Sequence, residues 1–90
     1  MYKIKKYSKD QANKLGVEIK PSTNPRKKID VYKNDIKIAS IGSSHYKDYP
    51  TYLELDKKLA EERRRLYKLR HKKDSRKPNS NGFYASKILW

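Results

Sequence analysis

Between Pro50 and Asp74 the apolar residues recur with helical spacing. In PTYLELDKKLAEERRRLYKLRHKKD, Tyr52, Leu55, Leu59, Leu66 and Leu69 follow at intervals of three, four, seven and three. That spacing puts them on one stripe of a helix. Arg64, Lys68 and Lys72 recur every fourth residue on another face, and Arg63, Arg65 and Arg70 flank the stripe. The pattern predicts one long helix from about Thr51 to Lys73. Pro50 suits a first helical turn, and Thr51-x-x-Glu54 is a capping-box pattern. Asp56 offers a second N-cap, and with it a kink or a separate helix.

Upstream, Tyr2–Tyr7 alternates weakly and predicts a short strand. Ser8-x-x-Gln11 is another capping-box pattern, predicting a helix from Lys9 to Leu15 with Gly16 at its exit and Ala12 and Leu15 facing inward. Val17–Lys20 alternates again, and Pro21–Pro25 breaks the pattern as a loop. Ile29–Ile41 reads as a β-hairpin about a two-residue turn at Asn34-Asp35. That register puts Ile29, Val31, Ile36 and Ile38 on one face, and Asp30, Tyr32, Lys37, Ala39 and Ile41 on the other. Gly42–Tyr49 is a loop.

Downstream, SRKPNSNG (Ser75–Gly82) ends the long helix. Phe83–Trp90 predicts a short amphipathic helix that docks on the core, since a polar tail would be left to fray. These elements define an α+β fold: a small antiparallel sheet, made of the hairpin plus short strands, packed against one long basic amphipathic helix. Short helices stand at either end. Residues 1–90 form a single small basic domain.

Composition sharpens this picture. A 90-residue chain without cysteine has no disulfide, and the sequence shows no zinc-ligand cluster. A core of this size must hold without a staple, and stability is expected to be marginal. No apolar run approaches the ~20 residues that span a bilayer. The start, MYKIKKYSKD, lacks an apolar h-region. The expected setting is the interior of a cell or particle, with no secretion and no membrane partner.

The charge changes the picture most. Lys and Arg number 24 against 10 Asp and Glu, a formal net charge of +14. Such a surplus repels itself in the compact state and attracts polyanions. The candidate phosphate contacts are Arg63, Arg64, Lys68, Arg70 and Lys72 on the helix. Arg26, Lys27 and Lys28 extend the footprint before the hairpin. Arg offers forked hydrogen bonds to phosphate and Lys a point charge. Glu61–Arg65 is an i,i+4 pair that offsets little of this. A merely solvated basic face is the plain alternative.

The chain also carries eight tyrosines. Tyr46, Tyr49 and Tyr52 are spaced by threes beside Lys47, a mixture that suits stacking on unpaired bases. Tyr52 and Tyr84 read instead as core residues. Catalytic signals are thin: His45 with Asp48 resembles part of an acid–base pair, but no nucleophile or metal cluster accompanies it, and Glu62 reads as a salt-bridge partner. No enzyme, cofactor or metal is expected.

The segments KLGVEIKPSTNPRKKIDVYKNDIKIASIG, YKDYPTYLEL, AEERRRLYKLRHKKD and NGFYASKILW, in this order, cover nearly the whole chain. Together they resemble a small basic protein family of large DNA viruses that infect algae and amoebae. The resemblance implies a virion or viral-factory setting and no catalytic residue. The expected function is non-enzymatic, largely sequence-independent binding of nucleic acid, with duplex DNA favoured over RNA. The rival class is a virion structural protein gluing acidic protein surfaces. A nuclease or nuclease accessory is a third.

Overall fold

A computed structural model describes residues 2–90 of the chain. The elements run α1 (Lys6–Leu15), β1 (Glu18–Pro21), β2 (Lys27–Lys33), β3 (Ile36–Ser43), α2 (Tyr49–Leu55), α3 (Lys57–Arg70), α4 (Lys72–Arg76) and α5 (Asn81–Ile88). The three strands form one antiparallel sheet in the order β1-β2-β3. The α+β class and the long basic helix, α3, stand as expected.

The hairpin turns where the sequence says. Asn34 and Asp35 both have positive φ, 53° and 65°, as a type I′ turn demands, and Lys33 pairs with Ile36. A β-bulge between Val31 and Tyr32 then shifts the register. Tyr32 pairs with Lys37 but Val31 pairs with Ala39, leaving Ile38 as the extra residue. One inserted residue exchanges the faces of everything beyond it. Ala39 and Ile41 therefore move to the core face, opposite Val31 and Ile29, and are buried. Ile36, expected inside, is 66% exposed. β1 adds Ile19 opposite Val31 and Pro21 opposite Ile29. Pro21 is tolerated because β1 is an edge strand.

The N-terminal expectations also shift. Helix α1 begins at Lys6, so Tyr2–Tyr7 is not a strand and Ser8 is not a cap. Gly16 ends the helix as expected, with φ 71° in the left-handed region and its N–H on the carbonyls of Ala12 and Asn13. Ser8 is instead buried, its hydroxyl donating to the carbonyl of Ile88 at 2.9 Å.

The region expected as one helix is three. Asp48, not Thr51, caps α2, and its side chain accepts from the Thr51 N–H. Asp56 adopts extended backbone, φ −167°, and caps α3 by accepting from the N–H groups of Lys58 and Leu59. A second break at His71 separates α3 from α4. The leucine stripe is only partly covered: Leu59 and Leu66 are half-buried, Leu55 and Leu69 are 63% and 62% exposed, and Ala60 is the one fully buried residue of α3.

The helix on the sheet is α5, packed on β3, and α1 packs on α5 and β1. The reason is polarity. α3 is mostly charged, whereas the α5 segment supplies Tyr84, Ile88 and Leu89, all nearly inaccessible. These join Ala12, Val17, Ile29, Val31, Ala39 and Ile41 in one core. Gly42, at φ 79°, permits the close approach: a Cβ there would lie 2.6 Å from Leu89 Cδ1. Trp90 follows and stacks on Tyr67 of α3, ring centroids 4.3 Å apart. The expected docking of this segment is thus observed.

Ile88→Ala or Leu89→Ala should therefore cost ~2–5 kcal/mol, while Leu55→Ala and Leu69→Ala should shift stability by no more than ~0.5 kcal/mol. Urea unfolding of the four variants checks this. Equal losses in both pairs would mean that the core has been misplaced.

Candidate nucleic-acid interface

Asp48 sits at the root of the loop that joins the sheet to α2. Its side chain is 1% exposed and ion-paired to Lys28 at 2.9 Å. One carboxylate oxygen accepts from Lys28 and from the Tyr2 hydroxyl at 2.7 Å. The other accepts from the Thr51 N–H at 3.0 Å and the Thr51 hydroxyl at 2.7 Å. All four bonds favour the charged form. Burial alone would push the carboxyl up, but hydrogen bonds from Tyr2, Thr51 and Lys28, with the Lys28 charge, hold it below its ordinary value. Tyr2 is pushed up by burial and by Asp48.

Lys28 uses its ammonium entirely inward. It donates to Asp48 and to the carbonyl of Tyr46, and lies over the Tyr2 ring. The sequence placed Lys28 in the phosphate footprint; burial removes it. Lys68 is withdrawn as well. Its ammonium donates to the Ser86 carbonyl at 2.8 Å and the Ser86 hydroxyl at 2.9 Å. Burial, then the charges of Arg64 and Lys87, push Lys68 down to about 8. Arg64 is half-buried, its guanidinium 4.9 Å from the centre of the Tyr49 ring. The row Arg64–Lys68–Lys72 is therefore no continuous exposed face, and Lys72 lies on a different helix, α4.

What remains exposed is Arg26, Arg63, Arg70 and Lys72, with Lys27 half-exposed. Among the described residues only Lys5, Lys6 and Lys28 of the lysines and arginines are paired with carboxylates. No arginine is. Glu61 does not pair with Arg65; it accepts from the Tyr49 hydroxyl at 2.5 Å.

Lys27, Arg63 and Arg70 converge with Lys47 on a groove of about 790 Å³ between the end of the sheet, α3 and α5. Its walls carry Tyr46, Tyr52, Tyr67 and Trp90. Three rings make a column: Tyr67 stacks on Trp90 on one side and on His71 on the other, each at 4.3 Å. Tyr46 is 75% exposed. Tyr49, expected in the loop, is buried at the start of α2.

The sequence shows the cations but not the groove. Tyr67 and His71 are an i,i+4 pair, a readable signal; nothing local announces Trp90 as the third ring. Asp48-x-Pro-Thr carried the correct cap, an Asp followed by Pro in the first turn. His45 is exposed, and Asp48 is fully engaged elsewhere, so the suggested His45–Asp48 pair does not form. Among the described residues no cluster of His, Asp and Glu could hold a metal, and no helix is long and apolar enough to cross a membrane. Comparison with protein families, curated proteins and solved structures finds no match to this chain.

The shifted lysine has a measurable consequence. The folded state depresses Lys68 below its ordinary 10.5, so the unfolded chain binds more protons between about pH 8 and 10.5, and stability rises with pH there. Tyr2, Tyr7, Tyr49 and Tyr67 are all raised from their ordinary 10.0 and oppose the trend from about pH 10 upward. Urea unfolding from pH 8 to 10 should show a rising slope in the parent that is flatter in Lys68→Met. Equal slopes would show that the Lys68 ammonium is not desolvated.

Proposed function

We propose that the protein binds nucleic acid through its phosphates, without catalysis and largely without regard to base sequence. The observation that supports this best is the surplus of unpaired cations: 24 Lys and Arg in the chain, with only three paired internally among the described residues. Arginines left without carboxylates, on a surface that already repels itself, favour a polyanion. The revised footprint is Arg26, Lys27, Arg63, Arg70 and Lys72, joined by Lys47. Phosphate contacts position a protein without reading bases. A virion or viral factory, the setting implied by the viral resemblance, fits this reading. The rival, a glue for acidic virion proteins, draws support from exposed Leu55 and Leu69.

Duplex DNA binding measured across salt concentrations tests the reading. Contacts to about six phosphates give a log–log slope near −5. Reversing Arg63, Arg70 and Lys72 to Glu should weaken binding and shrink the slope by about 2.7. Reversing Lys3, Lys9 and Lys33, exposed and outside the groove, changes net charge equally. If both triple variants lose the same affinity, only global charge matters. If the first binds DNA normally but loses an acidic protein partner, the glue reading replaces this one.

A further inference from the structure

We propose that the groove between β3, α3 and α5 is a seat for an unpaired nucleotide, its base stacked on the Tyr46 ring and its flanking phosphates on Lys47, Arg63 and Arg70. This rests on the nucleic-acid reading above and narrows it from phosphates in general to single strands.

Three observations carry the assignment. The first is the groove itself. At about 790 Å³ it lies within the ~300–1,000 Å³ range of small-molecule sites. It combines aromatic walls with a cationic rim, the two features that hold single-stranded nucleic acid. A paired base cannot use the walls, because both its faces are already stacked within the duplex.

The second is Tyr46. A tyrosine 75% exposed to water would ordinarily sit on a loose loop. This loop is anchored: the Tyr46 carbonyl accepts from the buried Lys28 ammonium, and its N–H donates to the Ser43 carbonyl at 3.3 Å. The Ser44 N–H donates to the Arg26 carbonyl at 3.1 Å. The backbone is fixed while the ring face stays open, so little ordering is needed on binding.

The third is charge. Lys27, Lys47, Arg63 and Arg70 line the same groove with no carboxylate in ion-pair contact. The groove's own carboxylate, Asp74, faces His71 at 3.4 Å. An apolar peptide would leave those cations uncompensated. A nucleotide brings an anion for the rim and a π-face for the wall.

Trp90 is the only tryptophan, and it lines the groove, so its fluorescence reports occupancy. The experiment titrates the full chain with an oligothymidylate single strand about eight nucleotides long. The comparisons are an abasic strand carrying the same phosphates and a paired duplex. Occupancy should change Trp90 emission with oligothymidylate and not with the abasic strand, which should bind about tenfold more weakly. Tyr46→Ala should weaken oligothymidylate about tenfold, ~1.4 kcal/mol, and leave duplex affinity unchanged. Tyr46→Phe should restore binding, because stacking needs the ring and not the hydroxyl. Tyr46 is exposed, so both variants should fold as the parent does.

An abasic strand that binds as tightly as oligothymidylate would overturn the seat while leaving the phosphate reading intact. So would a Tyr46→Ala loss equal on single strand and duplex. Salt-independent or absent binding of every nucleic acid would remove both readings. Polyglutamate binding that changes Trp90 emission and depends on Tyr46 would assign the groove to an acidic peptide and overturn the nucleotide.

Discussion

Four consecutive carbonyls at the end of α5 hold this fold together. A helix leaves its last carbonyls without partners, and burying them unsatisfied is costly. Here Ser86 is met by Lys68, Lys87 by Gln11, Ile88 by Ser8 and Leu89 by the Tyr49 N–H. The donors come from α3, α1 and α2. The apolar residues on the same turn, Ile88 and Leu89, fill the core. One short segment thus supplies both the hydrophobic anchor and the polar joints for three helices. Lys68 is tolerated there because a cation at a helix C-terminus meets the negative end of the dipole, which offsets part of its desolvation.

The second junction, Asp48 with Lys28, does different work. Buried ion pairs add little net stability against an apolar alternative, but losing one partner strands the other. The value of this pair lies in what it positions. Asp48 starts α2, fixes Tyr2 against it, and holds the ammonium that grips the Tyr46 carbonyl. The sheet, the N-terminal segment and the rim of the groove are therefore referred to one carboxylate. Lys28 also flanks Gly42, where Leu89 makes its close approach, so the two junctions touch.

Elements with local causes were legible in the sequence. The Asn34-Asp35 turn, Gly16 as an exit and the break at Asp56 all follow from residues within a few positions of each other. The bulge at Val31/Tyr32 was not, because a register shift is decided by which residues the core accepts: Ala39 and Ile41 lie opposite Val31 and Ile29, where Ile38 and Ser40 would otherwise have gone. The leucine stripe misled for a related reason. Helical spacing shows that residues share a face, but not that anything covers it, and α5 took the sheet first. Lys28 and Lys68 read as free cations because their acceptors, Asp48 and Ser86, lie 20 and 18 residues away. The groove is likewise a product of packing, bringing Tyr46, Tyr67 and Trp90 together from three elements.

The acidic residues explain which cations are left without a partner. Of ten Asp and Glu, most are held by the fold itself. Asp48 and Asp56 cap helices, Asp35 shapes the hairpin turn, and Asp30 accepts from Ser40 inside the sheet. Glu61 meets Tyr49, Asp74 faces His71, and Glu54 and Asp10 neutralise Lys5 and Lys6. Glu18 and Glu62 alone make no such contact among the described residues. Carboxylates that serve as caps and buried acceptors cannot also screen surface arginines. Composition alone leaves a net charge of +14; the fold's use of its anions concentrates that surplus on the arginines, and the self-repulsion lowers the stability of the free protein. An external polyanion that binds only the folded chain relieves that repulsion and adds its own binding free energy to folding. In such a chain, stability and occupancy are coupled.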